Sequence, residues 1–139
     1  VKKKKRKYAN AIMLLFIIFV LFFIVFQDRK IIVSAAELVE SYSINQETAD
    51  NKFLDKKIEL SGTVKSFIQS ESGNNYLELH SNNKSLKLLC IINDESAVQK
   101  ASSLTSASLI TVFGKCLGLN PAGYEKFPNS IFIEVEWIK

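Results

Sequence analysis

Two cysteines, one histidine and a scatter of acids, lysines and aromatics are what this 139-residue chain offers to chemistry. Cys90 in "LKLLCII" and Cys116 in "VFGKCLGL" both fall on the inward parity of strand-like runs. Two readings fit them. In an oxidising compartment they are a candidate disulfide, which requires the two segments to approach to under about 7 Å between Cα atoms. Otherwise they are two small buried thiols acting as hydrophobes. There is no CxxC spacing and only His80 to join them, so no metal site and no cofactor is expected. Glu134 and Glu136 share the outward face of "IFIEVEWI" and could divide acid and base roles. Alternation alone produces such pairs, however, and no residue is assigned as catalytic. Tyr76, Glu78 and His80 in "YLELHS" also point outward, with Lys87 placed to sit beside them on the next strand. Tyr124, Lys126 and Phe127 in "NPAGYEKFPNS" add rings that could stack on a base or sugar and a cation for an anionic group. Tyr76, His80, Lys87, Tyr124, Lys126 and Phe127 are therefore the candidate ligand-binding set. The competing reading is a solvated strand face beside a loop whose aromatics plug one end of the fold.

The elements that must position these groups can be read from periodicity. Residues 34–55 predict a helix opened by a capping box, "SAAE", with Ser34 as N-cap and Glu37 at the third position. Ala35, Leu38, Val39, Tyr42, Ala49 and Phe53 recur at three- and four-residue spacing, and Ser43–Asn45 is a point where the helix can break in two. Period-two alternation then predicts strands over 57–68, 76–81, 85–92, 108–119 and 131–138, with a short helix over 93–104 and a long loop over 120–130. Gly62 interrupts the apolar face of the first strand, as do Gly114 and Gly118 in the fourth. Three meandering strands, a helix, and a closing pair match a five-stranded OB-type Greek-key barrel, in which strand glycines relieve crowding at sharp bends. The alternative is a flat α+β sandwich. Ile131, Ile133, Val135 and Trp137 are expected in the core. Leu89 and Ile91 point outward and need a cover, for which the helix stripe of Leu38, Tyr42 and Phe53 is the expected source. Should that stripe lie elsewhere, they mark a protein-interaction patch.

Ahead of this domain, "VKKKKRKY" puts six cations directly before "AIMLLFIIFVLFFIVF", sixteen residues without a charge. Counted from Tyr8 to Phe26, the span reaches roughly 28 Å as a helix at about 1.5 Å per residue, close to the roughly 30 Å hydrocarbon core of a bilayer. An uncleaved signal anchor is expected, with residues 1–7 as a cytoplasmic tail, 8–26 crossing the membrane, Gln27–Lys30 closing the far side and 34–139 extracytoplasmic. A cleaved signal with "VSAA" as its site is the alternative. The net charge of +4 belongs to the anchor. Residues 31–139 carry ten cations against thirteen anions, a net of −3. That balance disfavours nucleic acid as a partner without excluding it, and a local patch of Lys84, Lys87, Lys115 and Lys126 would restore it.

The run "SAAELVESYSINQETADNKFLDKKIELSGTV", with "LKLLCII" and "LITVFGKCLGL", resembles the tRNA-anti-like family of small bacterial OB-fold proteins over Ser34–Lys139. Asn45 and Ala49 match that pattern. Gln46 stands where Glu is expected, Asp55 replaces a Gly, and Ile92 replaces a Phe. The resemblance implies an OB barrel with a helix before it, a membrane helix in many members, and a nucleic-acid-binding ancestry by fold analogy. None of the matched positions is a catalytic motif. The expectation is a membrane-anchored, non-enzymatic binding or interaction module of the cell envelope, with an envelope protein or polymer as partner. A nucleic-acid-binding protein at the membrane is the alternative.

Overall fold

The computed structural model describes residues 2–27 and 30–139, with 2–7, 26 and 27 as backbone only. Of the group expected to close the apolar span, Asp28 and Arg29 lie outside the described residues. The first element, α1 (Lys2–Gln27), is a continuous helix. No Gly or Pro precedes Gly62, so nothing interrupts its backbone ladder. Its segment Tyr8–Val25 is long and apolar enough to cross a membrane, and none of its residues is buried in the protein.

A short strand absent from the sequence expectation follows, β1 (Ile31–Ser34). Ser34 then caps α2 (Ala35–Ile44), its Oγ accepting from the Glu37 amide at 3.2 Å. Glu37 turns instead to Lys52, so only half of the capping box forms. The break expected near Asn45 is present. Asn45 ends α2 and caps α3 (Gln46–Phe53), its Oδ1 accepting from the Thr48 amide at 2.8 Å.

The barrel strands are β2 (Lys57–Gln69), β3 (Asn75–Leu79), β4 (Lys87–Ile92), β5 (Leu109–Leu119) and β6 (Ser130–Ile138). Between β4 and β5 lies α4 (Glu95–Ser102), capped by Asp94. Strand order β2-β3-β4-β6-β5 returns to β2, so the sheet closes. Only the β4–β6 pairing within the closed barrel is parallel. The β2 strand is shared between partners: residues 57–63 pair with β5, 58–61 with β1, and 64–69 with β3. Gly62 sits where β1 gives way to β3. A Cβ there would lie 3.0 Å from Ala35 Cβ and 3.1 Å from Leu79 Cδ1. The gap on the apolar face therefore admits the first residue of α2 at a bend of the strand.

The main core lies inside the barrel, built from Leu60, Leu77, Leu79, Leu88, Cys90, Val112 and Ile133 among others. The helix stripe of Leu38, Val39, Tyr42, Ala49 and Phe53 joins this inner cluster. It closes the barrel end where β5 finishes: Gly118 adopts φ +82, and a Cβ there would meet Leu54 Cδ1 at 2.9 Å. The other end is covered by α4, whose Lys100 Nζ donates to the Ile138 carbonyl at 3.0 Å.

Two expectations need correction. The helices do not cover Leu89 and Ile91, because their stripe is spent on the barrel end. Nor do Leu89 and Ile91 form an open interaction patch, since the loop over 120–130 covers them. Trp137 is not core. Glu136 is an extra residue between the pairs Gly114–Val135 and Phe113–Trp137, and this bulge inverts the alternation. Ile138 turns inward instead, while Trp137 stays 45% exposed and stacks on Phe113 with centroids 3.6 Å apart.

Candidate nucleic-acid or polyanion interface

The outer face of β3, β4 and β6 is divided into two unlike halves. One half is a second, smaller core. Tyr76 pairs with Ile91 and Leu89 with Phe132, and all four side chains are buried. The 120–130 loop folds down on them. Tyr124 lies 4.5 Å from Phe132 and Phe127 lies 4.9 Å from Tyr76, centroid to centroid. The loop holds this pose through its own chemistry. The Asn120 amide donates to the Ser130 carbonyl at 2.9 Å, and the Asn120 Oδ1 accepts from the Ser130 amide at 3.1 Å. Glu125 accepts from the Gly123 amide at 2.9 Å, which lowers its carboxyl pKa. Burial, with Tyr76 and Glu134 nearby, raises the Tyr124 phenol.

The other half is an open groove of about 280 Å³ at the β3–β4 hairpin. Lys65, Glu78, His80, Lys84 and Lys87 line it. Its floor is rigid. Asn83 Oδ1 accepts from the Ser85 and Leu86 amides, and Ser81 Oγ lies 3.0 Å from the Asn83 and Leu86 carbonyls. Glu78 is only 7% exposed and is satisfied by Lys65 Nζ at 2.7 Å and Ser66 Oγ at 3.3 Å. Among the described residues, Lys84 and Lys87 have no carboxylate within ion-pair distance. They are the free cations of the groove. A second hollow, of about 470 Å³ between α2 and this hairpin, shares Asn83 and Lys84 with it.

The structure thus splits the six sequence candidates. His80 and Lys87 line the groove, Tyr76, Tyr124 and Phe127 form the aromatic cap, and Lys126 is exposed on the loop. Lys115, named with the basic patch, lies two strands away and pairs with Asp55 at 3.7 Å. Lys65 and Lys84 complete the groove. Lys84 belongs to the expected basic patch; Lys65 does not, because its placement depends on the β2–β3 register, which bulges between Val64 and Ser66.

The thiols are free and buried. Cys90 and Cys116 each pair with Ile133, from opposite sides of β6. Two inter-strand spacings of about 4.8 Å therefore separate them, beyond the roughly 7 Å Cα limit of a disulfide. Burial pushes the Cys90 thiol up to about 12 and raises that of Cys116. Tyr42 Oη lies 3.7 Å from Cys116 Sγ and donates to Asp50 at 2.9 Å, and burial raises its phenol too.

A closed five-stranded barrel with this strand order, a helix between its third and fourth strands and a groove on its outer face defines the chain as an OB-fold protein. The chain belongs to the tRNA_anti-like family, whose profile matches residues 3–123. No curated protein matches it in sequence. Among solved structures it is similar to a presumed nucleic acid-binding lipoprotein from Klebsiella pneumoniae, at 14% identity and TM-score 0.53, covering 76% of this chain and 91% of that one. It is also similar to an asparaginyl-tRNA synthetase from Entamoeba histolytica, at 14% identity and TM-score 0.51, covering 80% of this chain and 23% of that one. A presumed aspartyl-tRNA synthetase from Leishmania major Friedlin matches at 10% identity and TM-score 0.53, over 80% and 20% respectively. The chain spans about a fifth to a quarter of the synthetases' length. At these identities the likeness is one of fold.

Proposed function

We propose that this chain is a non-catalytic binding module, held at a bacterial membrane by α1, that takes an anionic polymer of the cell envelope in the Lys65–His80–Lys84–Lys87 groove. In this reading residues 1–7 are a cytoplasmic tail, 8–26 cross the bilayer, and the domain over 34–139 stands outside. The six cations before the span support that orientation, because Lys and Arg flanking a span are retained on the cytoplasmic side. One observation carries the ligand class. Among the described residues Lys84 and Lys87 have no carboxylate partner, and they stand on a hydrogen-bonded hairpin in a domain whose net charge is otherwise negative. Their attraction for anions is local to the groove rather than spread over the surface.

The aromatic cap supports a charge-reading mode. Binders of single-stranded nucleic acid combine a cationic groove with exposed rings on which bases stack. Here Tyr76, Tyr124 and Phe127 are packed on Phe132 and on each other. A phosphate backbone fits the groove without them. Nucleic acid is the second reading, favoured by the same lysines and by the description of the Klebsiella pneumoniae protein.

The test is binding of poly(glycerol phosphate) and of a single-stranded oligonucleotide to the full chain in lipid nanodiscs, over a salt series. Lys84→Ala and Lys87→Ala should each weaken binding and flatten the logarithmic salt dependence by roughly 0.7 per lost phosphate contact. Unchanged binding in the double variant would remove the groove from the function. A compartment-sensitive reporter fused after Lys139 separates the two readings: activity outside the cytoplasm supports the envelope polymer, and activity inside moves nucleic acid to the front.

A further inference from the structure

The barrel carries a second surface, on the side away from the groove, that the binding role leaves unused. Outside α1, five large apolar side chains are exposed among the described residues: Ile32, Ile44, Leu54, Leu109 and Trp137. Three of them share one face. The register aligns Ile32 of β1, Glu59 of β2, Phe113 of β5 and Trp137 of β6 in a single row across four strands. Leu109 stands on the same side of β5, four residues from Phe113. Ile32 is 71% exposed and Leu109 80%.

The path of the chain decides what faces this row. Lys30 belongs to the face itself, paired with Glu59 at 2.5 Å and with its Nζ 4.9 Å from the Phe113 ring centroid. It is also three residues beyond Gln27, the last residue of α1. Three extended residues reach at most about 11 Å, whereas the polar layer on each side of a bilayer is roughly 5–8 Å deep. If α1 spans, Lys30 cannot leave the neighbourhood of the headgroups, and the row it touches is the part of the barrel brought nearest to them. The side-chain types suit that position. Trp has an apolar body and a polar N–H, the combination enriched at membrane interfaces. Lys30 lies over the Phe113 ring and Lys57 pairs with Glu136, the residue before Trp137, and the stems of both lysines can lie along apolar surface while their heads stay wet.

We propose that the outer face of β1, β2, β5 and β6 rests on the headgroup layer of the bilayer crossed by α1, with Trp137 and Phe113 as its anchors. The proposal rests on the anchored reading above. It fixes the orientation of the barrel, so that the lysine groove, on the outer face of β3 and β4, is turned away from the lipid.

Trp137 is the chain's only tryptophan and needs no engineered label. The full chain is reconstituted in phosphatidylcholine vesicles containing a headgroup-nitroxide lipid, with co-flotation measured on the same sample. Trp137 emission should fall at least twofold relative to vesicles without nitroxide. In the double variant Lys126→Trp, Trp137→Phe, which moves the probe to the far loop, emission should change little. Co-flotation with Trp137 unquenched, or with both probes quenched equally, would overturn the proposal while leaving the anchor intact. Absence of co-flotation would overturn the anchored reading and this proposal with it.

Discussion

Phe132→Ala tests whether the outer face of β3, β4 and β6 is a true second core. Phe132 is fully buried and lies within 6.3 Å, centroid to centroid, of Tyr76, Tyr124 and Phe127. Removing its ring takes away the surface on which the 120–130 loop rests and leaves a void that Leu89 and Ile91, locked in the sheet, cannot fill. Fully buried Phe→Ala substitutions cost about 3–5 kcal/mol, and the three ring contacts place this one near the upper half of that range. For a domain of this size, a loss of about 4 kcal/mol lowers Tm by roughly 20 °C. Tyr124 is only partly buried on the opposite side of the contact. Its truncation should cost about 1–2 kcal/mol, since most of its surface loss is recovered by water. The assay is thermal unfolding of the full chain in detergent, followed by Trp137 fluorescence, which reports from the other side of the barrel. A cost for Phe132→Ala below about 1 kcal/mol, within the range of an ordinary surface substitution, would refute the reasoning and leave the loop as a loosely held flap. So would a Tyr124→Ala cost equal to that of Phe132→Ala.

Other outcomes follow from the same geometry. Gly114→Ala places a Cβ 2.2 Å from the Glu134 carbonyl oxygen; because that neighbour is backbone, the variant should lose about 3 kcal/mol or more in urea unfolding. Cys90 and Cys116, both shifted upward by burial, should stay unreactive toward a thiol reagent at pH 8 until the domain unfolds, with modification rates that track unfolding. Because the folded values lie above that of an exposed thiol, their contribution is fully present below about pH 9 and is lost as pH rises toward 12. Urea midpoints should therefore fall between pH 8 and pH 11. Glu78→Gln frees Lys65 in the groove and should tighten binding of poly(glycerol phosphate) at low salt, with the gain vanishing as salt is raised.

Much of the barrel was legible because it depends on local patterning. The five strands and α4 fall within two residues of their expected limits, and Asn45 breaks the helix where its short polar side chain can cap. What was not legible depends on long-range pairing. "IIVS" is too short to announce a strand and becomes β1 only because β2 offers an edge. Trp137 alternates correctly with Ile133 and Val135 in sequence, and only the bulge at Glu136 turns it outward. The aromatic loop reads both as a ligand platform and as a plug for the barrel, because its composition suits the two equally well. Whether Tyr124 and Phe127 reach Phe132 is decided by the fold of the loop base at Asn120 and Ser130. Lys65 joined Lys84 and Lys87 through a register shift that no periodicity contains.

The short β1 strand also has a mechanical meaning. It runs parallel to β2 through four residue pairs, Ile31–Ile58 to Ser34–Ser61, and lies in the chain between α1 and everything else. If α1 spans a bilayer and the groove holds a ligand, as proposed, tension between the two would pull β1 along its own length, loading its hydrogen bonds together in shear rather than peeling them one after another. The ladder would take up strain before it reached Ser34 and the helices that close the barrel. In that geometry β1 is a strain relief at the point where a cable enters its housing.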